Sequence, residues 1–266
     1  MKITTWNINS VRLRMPLVAH FLKTHAPDVI CLQETKCRDA EFPSADFRAL
    51  GYNHVEINGQ KGYHGVAIAS KLPLRLIDKL DFCDAGHARH IAVELDAGGA
   101  PLTLHNFYVP AGGDEPDETI NPKFAHKLGF LDEMTEWIKT KGVAKGRAIL
   151  VGDLNIAPLE HDVWSHKALL KVVSHTPIEV EKLNKVFEAG EWIDSMRRFV
   201  PADEKLYTWW SYRAADWAAS DRGRRLDHVL VSKALGGALA SLQVAREARG
   251  WERPSDHVPV TIELAL

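Results

Sequence analysis

Two packed, mixed β-sheets flanked by helices, an α/β architecture, are what this sequence predicts, and three features carry the prediction. Short runs of β-branched and aliphatic residues recur along the chain, among them Val29-Ile30-Cys31-Leu32, Ala148-Ile149-Leu150-Val151 and Val258-Pro259-Val260-Thr261-Ile262. Their length and composition are those of buried strands. Between them lie stretches with apolar residues at helical spacing. No linker, low-complexity tract or internal repeat interrupts the 266 residues, and at 45% hydrophobic the chain can bury a large core; one domain over 1–266 is expected.

Lys2 to Ile8 alternates and is rich in β-formers, which predicts the first strand. Val11, Leu13, Leu17, Val18, Phe21 and Leu22 then recur at helical spacing until Pro27-Asp28 stops the helix. The strand Val29–Leu32 follows and runs into Gln33-Glu34, placing a carboxylate at the carboxyl end of a buried strand. Further strands are predicted over 53–57, 65–70, 74–80, 90–95 and 102–108, joined by short Gly, Pro or Asp turns. A helix from Pro122 to Thr140 carries Phe124, Leu128, Leu131, Met134, Trp137 and Ile138 on one stripe, and a strand around Ile149 comes next. Shorter helices over 163–172 and 179–188 and strands over 208–211, 227–231, 239–245 and 258–264 complete the chain.

Charged residues make up 26% of the sequence and the formal net charge is −2. No global positive field draws the molecule to nucleic acid, so DNA contact requires a local patch. The N-terminus lacks the apolar run of a signal peptide and no stretch approaches the roughly 20 apolar residues of a membrane span. A cytoplasmic protein without membrane partners is expected, with a monomer as the default state. Cys31, Cys37 and Cys83 form no CxxC pair, and three thiols cannot all be disulfide-bonded within one chain.

Three polar clusters sit beside buried strands: Gly152-Asp153-Leu154-Asn155, Leu226-Asp227-His228 and Ser255-Asp256-His257. Acids and imidazole at strand ends point to metal-assisted phosphate chemistry, and rigid strands would hold them in place. Glu34 is the first choice as metal ligand, since a hard divalent cation such as Mg²⁺ needs one or two carboxylates with solvent and phosphate oxygens. Asn7 and Asn9 lie two apart, as do Asp153 and Asn155, so on extended strands each pair projects to one face. Asp153 then offers a proton acceptor and Asn155 an amide to orient water or phosphate. A buried Asp227 bonded to His257 would fix the imidazole tautomer and raise its affinity for a proton. His228 points away from Asp227 and is structural. His64, His87, His90 and His105 show no metal-ligand spacing. Tyr207-Thr208-Trp209-Trp210-Ser211-Tyr212-Arg213, followed by Trp217, Arg222, Arg224 and Arg225, interleaves stacking surfaces with guanidinium forks, a combination suited to DNA, with one of the two adjacent tryptophans in the core. The acidic run 114–118 reads as a solvated loop.

These clusters, with Trp6-Asn7-Ile8-Asn9, Gln33-Glu34-Thr35-Lys36, His64-Gly65-Val66-Ala67 and Asn106-Phe107-Tyr108-Val109-Pro110, occur in an order that resembles exonuclease III and, more widely, the endonuclease/exonuclease/phosphatase superfamily. The resemblance implies a four-layer α/β sandwich. It implies a Mg²⁺-dependent enzyme, with Mn²⁺ as a substitute, that cuts duplex DNA 5′ to abasic sites and has 3′→5′ exonuclease and 3′-end-cleaning activity. Residue by residue it implies that Glu34 holds the metal with Asn7 beside it and Asp256 as a further ligand, and that Tyr108 contacts the phosphate. Asp153 and Asn155 match the water-activating pair, and Asp227 and His257 the pair at the scissile phosphate. Trp209 matches an aromatic that packs on the abasic sugar, and Arg213 a side chain that enters the DNA groove. Ala111 departs from relatives that carry an amide side chain there. Two chemistries fit: Asp153 as the base with His257 stabilising charge, or His257 as the base. Within the same superfamily, an inositol-phosphate or sphingolipid phosphodiesterase is the alternative, against which the Trp/Arg segment argues.

Overall fold

The computed structural model describes residues 1–214 and 216–266. In chain order its elements are β1 (Lys2–Asn7), α1 (Val11–His25), β2 (Val29–Gln33), α2 (Ser44–Ala49), β3 (His54–Asn58), β4 (Val66–Ser70), β5 (Leu74–Asp78), β6 (His90–Leu95), β7 (Leu102–Tyr108), α3 (Pro122–Lys141), β8 (Arg147–Asp153), α4 (His166–Leu169), α5 (Pro177–Ala189), β9 (Ile193–Asp194), β10 (Trp209–Trp210), α6 (Trp217–Ser220), β11 (Gly223–Arg224), β12 (Asp227–Val231), β13 (Leu239–Val244) and β14 (Val260–Leu264). One six-stranded sheet runs β13-β14-β1-β2-β4-β3 and the other β5-β6-β7-β8-β12-β9, with β10 and β11 as a separate ribbon. Both six-stranded sheets are mixed: β1/β2 and β7/β8 are parallel, and their ladder neighbours are antiparallel. Each parallel pair is joined through a long helix, α1 or α3, because parallel strands need a crossover rather than a hairpin.

The apolar runs are continuous because both sheet faces are covered. Ile3, Val29, Ile68, Val93, Leu104, Ile149, Val151 and Val229 meet between the sheets. On the outer face of the first sheet, Trp6, Ile30 and Leu32 pack on Val11, Val18, Phe21 and Leu22 of α1. On the outer face of the second, Phe107, Leu150 and Leu230 pack on Phe130, Leu131, Met134 and Ile138 of α3 and on Leu183 and Val186 of α5. Helix, sheet, sheet and helix give the four layers. No helix among the described residues is long and apolar enough to cross a membrane.

Differences from the expected elements are local. Leu13 faces solvent at 53% exposure, while Arg14 and Met15 turn inward. The helix expected over 163–172 contracts to α4, whose start is capped by Ser165. The strand over 74–80 ends at Asp78, and Asn9 and Asn155 lie beyond their strands at φ 47° and 55°. The same-face expectation for Asn7/Asn9 and Asp153/Asn155 is therefore replaced by turns that bend the second residue back toward the first. Ser10 makes no side-chain cap. Instead the backbone N–H groups of Ser10 and Val11 bond the carbonyls of Glu34 and Thr35 at 2.7 and 3.2 Å, zipping the exits of β1 and β2 together.

Across the sheets, the Gln33 amide donates to Asn106 Oδ1 at 2.7 Å and to Thr5 Oγ1 at 2.9 Å, and Asn106 Nδ2 donates to the carbonyls of Leu32 and Ala67 at 3.0 Å each. This buried clasp fixes the end of β2 against the end of β7 and satisfies both amide NH₂ groups, leaving Gln33 Oε1 buried without a partner. Gly152 has φ 145°, and a Cβ there would lie 1.9 Å from the Phe107 carbonyl. Gly152→Ala is expected to lower unfolding free energy by more than about 2 kcal/mol in denaturant titration, because β7 and β8 cannot both keep their ladder around the added atom.

Candidate active site

Strand register brings the clusters together. Tyr108 on β7 and Asp227 on β12 are both paired with Asp153 on β8, and Asn7 on β1 is paired with Gln33, the residue before Glu34. Five strand ends from two sheets thus open on one place. Trp209 forms an isolated bridge with His257, carrying the last cluster to the same spot. The loop before His257 is tied down by Ser255 Oγ, which donates to the Asn7 carbonyl at 2.6 Å, and by Trp6 Nε1, which donates to the His257 carbonyl at 3.1 Å.

At the centre, Asn7 Nδ2 donates to both Glu34 Oε1 (2.8 Å) and Asp153 Oδ2 (2.9 Å). Asn155 wraps Asp153, its backbone N–H on Oδ1 at 3.0 Å and its Nδ2 on Oδ2 at 3.1 Å. His257 Nδ1 bonds Asp227 Oδ2 at 2.8 Å, and its Nε2 lies 3.6 Å from Asp153 Oδ2. Thr208 Oγ1 accepts from the Asp227 N–H at 3.1 Å. Burial pushes the Asp153 carboxyl up, His257 pulls it down, and the Asp227 and Glu34 charges push it up again, leaving it well above the usual carboxylate range. Burial alone would depress His257, but the carboxylates of Asp227 and Asp153 hold its proton far above the ordinary imidazole range. Glu34 is pushed up by burial, yet the Lys36 ammonium at 2.8 Å and the Asn7 bond bring it below its ordinary value. Tyr108 is raised by burial and by Glu34 and Asp153, so it stands as a neutral O–H.

These side chains open on a cavity of about 710 Å³. Glu34, Tyr108, Asn155, Trp209, Arg213, Arg222, Arg224, Asp256 and His257 line it, while Asn7, Asp153 and Asp227 stand just behind, bonded to the wall. The sequence matches the Endonuclease/Exonuclease/phosphatase family over residues 4–257. The chain belongs to that family. Within it, the exodeoxyribonuclease III of Haemophilus influenzae is 32% identical over 99% of both chains. An AP endonuclease from Archaeoglobus fulgidus superposes with a TM-score of 0.91 at 32% identity over 100% of both chains. A 3′ phosphatase from Neisseria, solved with a product DNA hairpin, superposes with a TM-score of 0.89 at 33% identity over 99% of both. These relatives place the chain in the exonuclease III branch.

Among the described residues, the family member's most compact donor group is Asp153, Asp227 and His257, with ligand atoms within 4.8 Å of one another. Asp227 Oδ1 is buried without a partner. His257 held protonated has no lone pair for a metal, but the carboxylates of Glu34, Asp153 and Asp227, one oxygen of the last unpartnered, are the hard oxygen donors that fit a divalent cation beside it. Asp256, expected as a ligand, is engaged by neutral donors: Oδ1 accepts from Asn9 at 3.2 Å and Oδ2 from Trp209 Nε1 at 2.9 Å, so it orients the tryptophan. On the aromatic wall Arg224 lies 5.2 Å over Trp209 and Arg222 4.8 Å over Trp164, while Trp210 is core. Arg225, grouped with them in the sequence, is fully buried between Asp162 and Asp194 and is structural. His228 is buried on the Ile156 carbonyl, burial pushing it down to about 4.

Several participants carried no signal of their own: Trp164 on the wall, Thr208 beneath Asp227, and Arg89, whose guanidinium lies 4.8 Å from the Tyr108 ring and donates to the Tyr108 carbonyl. A buried arginine or threonine reads in sequence like any other.

A carboxyl raised on folding gives stability present below its unfolded value near pH 4 and lost as pH rises through the higher folded value. Asp153→Asn removes that loss. In chelator-treated protein, the Tm of the variant minus that of the parent is expected to grow between about pH 4 and pH 7 and then level off; a difference flat across that range would remove the electrostatic crowding assigned to Asp153.

Proposed function

We propose that this chain is a metal-dependent DNA-repair hydrolase of exonuclease III type. Its 1–266 catalytic domain, acting as a cytoplasmic monomer, cuts duplex DNA 5′ to abasic sites and trims and cleans 3′ ends with Mg²⁺ or, in its place, Mn²⁺. The observation that carries the mechanism is the arrangement of two neighbours 3.6 Å apart: Asp153, whose carboxyl is pushed up by burial and the nearby acids, and His257, whose Nδ1 is bonded to Asp227 at 2.8 Å and whose proton affinity that carboxylate raises. Groups set apart in this way divide the acid and base roles. Asp153 takes the proton of the attacking water, while Asn155 and Asn7 aim its oxygens. His257, a cation whose tautomer and orientation Asp227 fixes, stabilises the charge that develops on the phosphoryl oxygens, and this favours Asp153 over His257 as the base. Tyr108 donates its neutral O–H to the phosphate. Glu34 and Asn7 would hold the cation, with Asp256 at its flank; when bound it supplies Lewis acidity and orientation.

Substrate selection rests on the wall. Trp209, propped by Asp256 and Arg224, offers a face for a sugar that has no base, and an unpaired sugar leaves the stack at lower cost than a paired nucleotide. Arg213, exposed at the rim, and Arg222 meet the DNA backbone. The Ala111 side chain cannot replace an amide contact, so grip on the DNA falls to these arginines. A soluble inositol phosphate or a lipid headgroup has no use for such an aromatic and guanidinium surface.

The test is a duplex with one abasic analogue, incubated with purified protein and Mg²⁺ and read by fragment length with and without chelator. One cut 5′ to the analogue that chelator abolishes is expected. Asp153→Asn should lower kcat by about 10³-fold or more while Kd for uncleaved DNA stays within about threefold; turnover retained in that variant excludes Asp153 as the base.

A further inference from the structure

Beneath the cavity floor a lysine is wholly buried. Lys127, on α3, has its Nζ on the Asn155 carbonyl at 2.8 Å, on the Ala111 carbonyl at 3.2 Å and on Glu179 Oε1 of α5. Its three donors are all used, and both Lys127 and Glu179 are fully inaccessible. Glu179 in turn accepts from the Ser174 N–H at 2.9 Å, the Thr176 N–H at 3.1 Å and Thr176 Oγ1 at 2.7 Å. One ion pair thus ties down three separate loops, and each of them contributes to the cavity wall through Ala111, Asn155 or Ser174.

A buried ion pair is a poor device for stability, because desolvation consumes most of the attraction and apolar residues of similar volume often do as well. Geometry explains it better. Asn155 sits at φ 55°, a left-handed turn that asparagine adopts more readily than other side chains, and it carries both hydrogen bonds that aim Asp153, so the position of this turn sets theirs. At Ala111 no side chain reaches into the site, and the following Gly112 passes so close that a Cβ would lie 2.9 Å from Lys127 Cδ. The loop is shaped around the lysine.

We propose that Lys127, braced by Glu179, is a positioning residue that holds the Asn155 turn, and through it the Asp153 carboxylate, in register for attack on the phosphate. The proposal rests on the DNA-hydrolase reading of Asp153 and Asn155. It requires the pair to act on turnover through Asn155 and to leave DNA binding nearly unchanged.

The experiment compares kcat, KM and Tm for incision of the abasic duplex by the full chain, Lys127→Met/Glu179→Leu, Asn155→Ala and the combined variant. Removing both charges together avoids stranding either one. A fall in kcat of about tenfold or more is expected, with KM and uncleaved-DNA Kd within about threefold, and the fall should shrink to about twofold or less in the Asn155→Ala background. Full effects that simply multiply, or kcat within about twofold of the parent, overturn the positioning role. Should the double variant not fold, Lys127→Arg decides: it keeps the charge beside Glu179, yet a planar fork cannot serve the same three acceptors, and a kcat within about twofold of the parent again overturns the role. A parent chain that cuts no DNA fails the underlying function instead, and is told apart because no variant then enters the comparison.

Discussion

The carboxylate of Asp153 is buried within reach of two other acids, and the rest of the site answers to that fact. Left alone, Asp153 beside Asp227 and Glu34 would hold its proton and do no chemistry. The structure opposes this with directed contacts: the bridging amide of Asn7, the double hold of Asn155, the His257 imidazolium and the Lys36 ammonium on Glu34. The balance leaves Asp153 raised and His257 charged. Such a balance is poor for stability and, under the proposed function, serves proton transfer, a conflict tolerated only where the frame around it is rigid.

That frame is the abutment of two sheets. Each sheet supplies one parallel pair whose carboxyl ends open on the site, and the Gln33–Asn106 clasp prevents the ends from sliding against each other. The zipper between the β1 and β2 exits fixes Glu34 against Asn7, and the ladder between β8 and β12 fixes Asp227 against Asp153. Outside this ring, buried ion pairs such as Arg225 with Asp162 and Asp194 anchor the loops that carry the aromatic wall. The geometry of the site is therefore distributed: strands set distance, and buried polar contacts between loops set orientation.

Much of this could be read from residue order. Asp227–Val231 was predicted at its observed bounds, and the helix over 122–140 ends one residue short of the observed Lys141. Those elements announce themselves because periodicity and β-branching are local. Asp227 and His257 could be paired from their chemistry, since a buried acid and an imidazole at strand ends have few other partners. Alternation predicts Asn9 and Asn155 on strands, but both lie past the last ladder bond, where the chain turns through positive φ. Arg225 joined the DNA-facing arginines because sequence neighbours look alike, although the ribbon β11 sends Arg224 out and the following residue in.

By itself the sequence determined the order of strands and helices and the two-sheet class, because both follow from local periodicity, and side-chain chemistry singled out polar residues that the fold then brings to one cavity. Only the tertiary structure decided that Asp256 props Trp209, that Lys127 holds Asn155 from beneath and that Gln33 reaches Asn106 across the sheets. Those contacts join residues between 28 and 73 positions apart. Which partner a buried donor finds at such distances depends on strand register and sheet packing, and neither leaves a mark on the residue itself.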